Sequence, residues 1–319
     1  MTFFKLGEIM SKVYVFGGAN IDIVGLASRD LVLNDSNIGS IKYSFGGVAR
    51  NIAENLARLE IPVNLVTIFS NDLFGKSLLE DCKRLNIETN FSKIIDEPSS
   101  TYLALLDKNQ DLLWALADMN ILDHLSKEMF DEVFQKMTVD DILVIDTNLP
   151  QELLKYAIKN SPVPVYLDPI STTKILKVEN LLSSLTMIKP NLLEAETLSG
   201  LKFRDQEDYQ AILDYFLING VKETVISLGS KGVLIATKQE KAWFQHQPLE
   251  MINATGAGDS FLAGYLAMTV LNKTIDEKIS FAIGCAAKTI RSESTVSKSL
   301  NRSDVLASLE DLAIKKIIL

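Results

Sequence analysis

The sequence predicts an α/β domain built on a mostly parallel sheet, with a second, smaller sheet beside it. Three observations carry that expectation. From about Ile121 onward, short apolar runs alternate with stretches of helical periodicity, the pattern of parallel strands joined by crossover helices. The run Val13-Tyr14-Val15-Phe16-Gly17-Gly18 has the composition of a buried first strand closed by glycines. Strand-like runs within Ile21 to Tyr43 and within Ile87 to Ala117 stand apart from that alternation and supply a small separate sheet.

Taken in order, the first strand is followed at its carboxyl end by Asn20 and Asp22. Ligands of open parallel sheets gather beyond the carboxyl ends of strands, so these two side chains either hold hydroxyl groups or close an Asx turn. Gly46-Gly47 then opens a helix in which Val48, Ile52, Leu56 and Leu59 recur on one face, with Ala49 and Ala53 alongside. Asn51 lies in its first turn, whereas Arg50 and Asn55 are expected on its surface. Val63 to Ile68 reads as a strand and Gly75 to Leu85 as a helix. Ser100 to Leu106 and Leu112 to Leu116 form a hairpin around the polar turn Asp107-Lys108-Asn109-Gln110.

The alternating half has helices around Ser126 to Met137, Gln151 to Lys159 and Asp208 to Asn219. Its strands are Ile142 to Ile145, Val163 to Leu167, Leu185 to Ile188 and Glu223 to Leu228. Polar residues punctuate the strand ends: Asp146, Asn148, Asp168, Asn191, Glu194, and then Gly229-Ser230-Lys231-Gly232. They form the rim where such a sheet binds ligands. Gly232 to Thr237 and Ala242 to Gln245 flank a charged turn and predict an antiparallel hairpin closing the sheet. Ile275 to Ile290 is a helix whose Gly284 and alanines either pack closely or border a flat ligand, and Ser303 to Ile314 is a last amphipathic helix capped by Ser303.

The composition excludes several classes. Of 319 residues, 47% are hydrophobic and 23% charged, a balance suited to a sizeable core and unlike a disordered chain. No apolar run reaches the ~18 residues of a membrane span. Lys and Arg number 32 against 41 acidic residues, a net charge of −9 that opposes a general grip on nucleic acid. The two cysteines, Cys82 and Cys285, are far apart and suit reduced core thiols in a cytoplasmic protein. With only His124 and His246, a histidine triad or a zinc site is poorly supplied. The segment 1–11 reads as an extension without a targeting signal, or as a misassigned start with Met10 as the first residue. The domain itself is expected over 12–319.

The densest chemistry lies in Asn253-Ala254-Thr255-Gly256-Ala257-Gly258-Asp259, a turn feeding the apolar helix Phe261 to Met268. Glycines there bend the backbone tightly and aim unpaired N–H groups off the helix start, a ready anion site. Asp259 beside it either caps the helix or accepts a hydroxyl proton during phosphoryl transfer.

Four motifs in this order, Gly17-Gly18-Ala19-Asn20-Ile21-Asp22, Gly46-Gly47-Val48-Ala49-Arg50-Asn51, Asn191-Leu192-Leu193-Glu194 and Thr255-Gly256-Ala257-Gly258-Asp259, resemble those of the ribokinase/PfkB family of sugar and nucleoside kinases. The resemblance covers the chain from Lys12 onward. It implies a three-layer α/β/α ribokinase-like fold with a small β-sheet lid drawn from about 21–45 and 98–118, and transfer of a phosphoryl group from ATP to a primary hydroxyl.

By the same resemblance Asp259 matches the general base, and the N–H groups of Gly256, Ala257 and Gly258 match the anion hole. Asn191 and Glu194 match a pair that arranges Mg2+ and phosphates, with Glu194 acting through water. Ser227, Gly229, Lys231 and Gly232 match the strand end and loop lining the nucleotide site. Asn20, Asp22, Gly46, Gly47 and Asn51 match the positions that hold the acceptor, and Asn148, Tyr43 and Thr101 are further candidate contacts. Asn253 stands where many relatives carry Asp in a loop for a monovalent cation, so K+ would rely on Asn253, Ser297 and backbone carbonyls.

The run Ser44 to Leu59, with Asp146-Thr147-Asn148-Leu149-Pro150 and Asp168-Pro169-Ile170-Ser171, is most similar to the pseudouridine kinase branch. Gly-Gly-Val-Ala-Arg-Asn is the telling piece, since Val48 replaces a lysine usual in ribokinases. This implies pseudouridine 5′-phosphorylation, with another nucleoside such as inosine, or a sugar such as ribose, as the alternative acceptor. A non-catalytic ligand sensor is the reading from a different class. The expected partners are a small-molecule substrate and ATP, with no nucleic acid or membrane, and a homodimer formed through the lid.

Overall fold

The computed structural model describes residues 11–319, and the expectations placed on residues 1–10 lie outside them. The chain opens with β1 (Val13–Phe16), runs through β2 (Asn20–Ala27) and β3 (Gly39–Gly46), and enters α1 (Val48–Arg58). There follow β4 (Val63–Val66), β5 (Ile68–Ser70), α2 (Leu73–Arg84), β6 (Lys93–Ile95), β7 (Thr101–Leu106) and β8 (Leu112–Asp118). The alternating half supplies α3 (Lys127–Phe134), β9 (Ile142–Asp146), α4 (Gln151–Asn160), β10 (Val165–Asp168), α5 (Thr172–Ile175) and β11 (Met187–Ile188). It continues with α6 (Leu192–Ser199), α7 (Glu207–Ile218), β12 (Glu223–Ser227), β13 (Val233–Ala236) and β14 (Lys241–Gln245). The chain then forms α8 (Ala257–Val270), α9 (Ile275–Ile290), α10 (Arg302–Ser308) and β15 (Lys315–Ile318).

The central sheet has the order β15-β14-β13-β12-β11-β10-β9-β1-β4. The six strands from β4 to β12 are parallel and the last three antiparallel. β1 shows why this is a three-layer fold. Successive side chains of a strand point to opposite faces, and here Val13 and Val15 enter one hydrophobic core while Tyr14 and Phe16 enter the other. The first core is closed by residues of α1, α2, α8, α9 and α10, the second by residues of α3, α4, α6 and α7. A strand covered on both faces tolerates an unbroken apolar run, the signal that β1 and β9 carry in sequence.

The lid sheet has the order β3-β2-β7-β8, with β7 and β8 forming the expected hairpin and β2 running parallel to β7. β5 and β6 add a separate two-stranded parallel piece; β6 lies in the stretch Ile87 to Ala117 that reads as short strands, but its pairing with β5 was not foreseen. Cys82 and Cys285 are free and buried.

Three expectations need correction. Arg50 and Asn55 are buried, not on the surface of α1, because that helix packs against α8 as well as the sheet and has little face left for water. The last helix is shorter than expected: α10 is capped by the Asn301 side chain, which accepts from the Asp304 N–H, and Ser303 lies inside it. The hairpin does not end the sheet, since β15 pairs with β14 and covers that edge. An exposed edge invites pairing with another chain, which explains why a terminal segment is drawn onto it. The small residues of the α8/α9 pair serve packing: a Cβ on Gly264 would crowd Cys285 and Ala282, and one on Gly284 would crowd Val305 and Leu309.

Candidate active site

The site gathers at the carboxyl ends of the parallel strands, beneath the lid. Its floor is the start of α8. Gly256 takes φ 81°, a left-handed conformation that L side chains rarely adopt, and a Cβ there would also collide with the Thr295 carbonyl. Glycine at this position lets the chain turn so that the first N–H groups of α8 face outward. Ala257 makes only a long contact, 3.4 Å, back to the Ala254 carbonyl. Asp259 follows in the first turn and is nearly buried.

Asn51 Nδ2 donates to Asp259 Oδ2 at 2.9 Å, joining two residues 208 positions apart. The expected acceptor-side helix α1 and the expected catalytic helix α8 therefore meet at one hydrogen bond. Burial pushes the Asp259 carboxyl up to about 8, the Asp168 carboxylate adds to the rise, and the Asn51 bond and the Lys189 ammonium oppose it.

Lys189 is a group that the sequence reading missed. It is buried, its Nζ lies 3.1 Å from Asp168 Oδ2, and a Cβ built on Gly258 would stand 3.2 Å from that Nζ. Its ammonium is thus set beside the helix start. Burial alone would favour the neutral amine, but the Asp168 charge and hydrogen bond hold its pKa above the ordinary lysine value. The signal present in the sequence was a lysine immediately preceding Pro190-Asn191 at a strand end.

In the sequence Asp146 stood in the polar rim and in a run resembling one branch of the family, with no contact of its own foreseen. In the fold it accepts from the N–H groups of Gly18 (2.9 Å), Ala49 (3.0 Å) and Asn148 (2.8 Å), clasping the loop after β1, the start of α1 and the loop after β9 together. Gly47, at φ 97°, lies so close to the Gly18 carbonyl that no Cβ fits. Asn20 Nδ2 donates to Asp22 Oδ1 at 2.6 Å, and a Cβ on Gly46 would strike the Asp22 carboxylate. Asn20, Asp22, Gly46, Gly47 and Asn51 therefore share one corner of the site. Burial raises the pKa of Asp22. Asn148 joins the corner through Asp146, and its Oδ1 accepts from Lys174 Nζ at 2.5 Å. Tyr43 is exposed on β3, and Thr101 begins β7 half-buried.

Asn191 and Glu194 form a capping box at the start of α6: Asn191 Oδ1 accepts from the Glu194 N–H at 2.9 Å, and Glu194 Oε2 from the Asn191 N–H at 2.8 Å. Burial raises the pKa of Glu194. The box fixes the carboxylate at the strand-end rim, next to Ser227, which bridges to Asn191. Gly229, Lys231 and Gly232 form the turn between β12 and β13, with Gly232 at φ 98°. Asn253 Nδ2 donates to the Glu293 carbonyl at 3.2 Å and its Oδ1 accepts from the Thr255 N–H at 2.9 Å. Ser297 is buried against Ser299, 3.2 Å between hydroxyl oxygens. The Asn253 amide thus ties the loop before α8 to the loop after α9.

A pfkB family carbohydrate kinase model matches residues 10–302 of this chain. The chain belongs to the pfkB carbohydrate kinase family. Among relatives of this pfkB kinase, a pseudouridine kinase from Escherichia coli is 34% identical over 302 residues, covering 94% of this chain and 96% of the relative. A guanosine-inosine kinase from Exiguobacterium acetylicum is 25% identical over 290 residues, covering 89% of this chain and 95% of the relative. Among solved structures, a ribokinase from Thermotoga maritima superimposes with a TM-score of 0.84 at 25% identity, covering 95% of this chain and all of that one. The ribokinase-like α/β fold and its smaller sheet are therefore those of a sugar or nucleoside kinase family. Among the described residues no helix is long and apolar enough to cross a membrane.

Proposed function

We propose that this pfkB-family kinase transfers the γ-phosphoryl group of ATP to the 5′-hydroxyl of pseudouridine. The observation that carries the reading is the Asn51–Asp259 hydrogen bond, which joins the first turn of α1 to a buried carboxylate in the first turn of α8. The 34% identity to a pseudouridine kinase over nearly the whole chain supports the choice of acceptor.

In this reading Asp259 takes the proton of the attacking hydroxyl as its oxygen bonds to phosphorus and the bond to the departing diphosphate breaks. The N–H groups of Gly256, Ala257 and Gly258 donate to the oxygens of the transferring group, and the Lys189 ammonium lies close enough to lower the local cost of that charge. Asn20, Asp22 and Asn51 hold ribose hydroxyls, while Asn148, Tyr43 and Thr101 flank the base. Ser227, Gly229, Lys231 and Gly232 line the nucleotide.

The residues present fit Mg2+ held mainly by phosphates and water: among the described residues no cluster of three or more acidic, cysteine or histidine side chains could hold a metal alone. Glu194, presented by its capping box, would hold the ion through water, and the ion would supply charge neutralisation on the phosphates. A K+ site would draw on the loops that Asn253 ties together and on Ser297.

The lid presents Ile41, Tyr43, Leu103, Trp114 and Leu116 to solvent, an apolar set suited to pairing with a second copy. Steady-state assays on a panel of nucleosides and sugars test the acceptor. A clear kcat/KM preference for pseudouridine is expected, and equal rates with ribose, inosine and cytidine would sink it. The likeness to a guanosine-inosine kinase makes a purine nucleoside the second reading, decided by the same panel.

A further inference from the structure

Arg50 lies outside every role given so far. Its side chain is 4% exposed, with Nη1 2.6 Å from Glu54 Oε2 and Nη2 2.6 Å from Asp81 Oδ2. Arg58 pairs with the other oxygen of Glu54, and Arg84 with the other oxygen of Asp81. The charges alternate Arg58, Glu54, Arg50, Asp81, Arg84, from one face of α1 across to α2. A buried guanidinium is tolerated only with such partners. That arrangement alone would describe a clamp between two helices.

What the clamp does not require is the third contact. Arg50 Nη1 also approaches Asn51 Oδ1 at 3.4 Å, and the Nδ2 of the same amide donates to Asp259 Oδ2. The Asn51 amide dipole is therefore held between a fixed cation at its oxygen and the carboxylate at its nitrogen. As Asp259 accepts a proton its own pull on Nδ2 weakens, while Arg50 cannot be discharged and keeps the amide in register.

We propose that Arg50 is a positioning residue that orients Asn51 toward Asp259 throughout turnover, anchored for that purpose by Asp81 of α2. The proposal rests on Asp259 acting as the base. It also accounts for arginine in place of lysine, since a single ammonium cannot reach Glu54, Asp81 and Asn51 in one planar fork.

A double-mutant cycle tests it, with thermal melts run on every variant. R50Q is expected to lower kcat about tenfold while nucleoside KM moves less than about threefold, and N51A to lower kcat about a hundredfold. If Arg50 acts through Asn51, R50Q/N51A falls no further than N51A, to within about twofold. A further tenfold loss in the double variant would show independent effects and overturn the proposal. R50K is expected to lie between wild type and R50Q, and it replaces R50Q in the cycle, with the same criterion, if R50Q does not fold. D259N separates the two readings. If it turns over like wild type, the assignment of the base fails; if it is inactive and the cycle is additive, only the role of Arg50 fails.

Discussion

The floor of the site and the lid above it are built on opposite terms. At the floor, Asp259, Lys189 and Asp168 are nearly withdrawn from water, and each is held by partners from other elements. In the lid, β3 and β8 are largely exposed along their length, and Trp114 and Leu116 stand about as open as surface residues do. Charge transfer needs preorganised groups in a low-dielectric pocket, whereas choosing and covering an acceptor needs a surface that can move or be covered by a partner. On the proposed function, the difference would put the chemistry in the α/β body and leave acceptor choice and pairing with a second copy to the lid.

The strongest way to break that division is D259N. Turnover should fall about a thousandfold while pseudouridine binding, followed by calorimetry, is largely retained. Wild-type kcat would remove Asp259 from the chemistry. Next in size is G256A, which forces a Cβ into the Thr295 carbonyl at a left-handed φ and should destabilise the protein by about 1–3 kcal/mol along with a loss of kcat. An unchanged melting temperature would contradict the strained turn.

The Asp259 carboxyl also gives the floor a pH signature. Its folded pKa is raised to about 8 from an ordinary value of 3.8. The unfolded chain therefore releases this proton more readily, and the stability that the protonated form contributes is lost as pH rises from about 4 through about 8. D259N should accordingly gain melting temperature over wild type at pH 8.5 and show a smaller gain at pH 5; equal gains would refute the shift. For the same reason kcat/KM should decline on the acid side of about 8, as the base becomes protonated.

The smallest effect on the body is expected from the lid. Trp114→Glu with Leu116→Glu leaves the core untouched, so the melting temperature should stay close to wild type. Light scattering should report a smaller particle and the nucleoside KM should rise. An unchanged mass would show that these residues do not pair the lids.

Much of this was legible in the chain. The alternation after Ile121 and the apolar run of β1 gave the parallel sheet, because strands buried on both faces have a distinctive composition. The hairpins at Asp107 to Gln110 and at Lys238 to Lys241 were legible because turn chemistry is local. β15 was not. Lys315-Lys316-Ile317-Ile318 has no buried face of its own and becomes a strand only because β14 offers an edge.

The sequence by itself determined which reactive groups the protein owns and their order: the glycine turn with Asp259, the Asn191 and Glu194 pair, and the polar strand ends. Each is a cluster of neighbours whose spacing encodes a local geometry. The tertiary structure alone decided who meets whom: Asn51 with Asp259, Lys189 with Asp168, and Asp146 with three loops. It also turned Arg50 from an expected surface charge into a buried one. Burial and through-space pairing depend on how helices from distant parts of the chain pack, and helical periodicity reports only that a face is polar, not whether water or a carboxylate will face it.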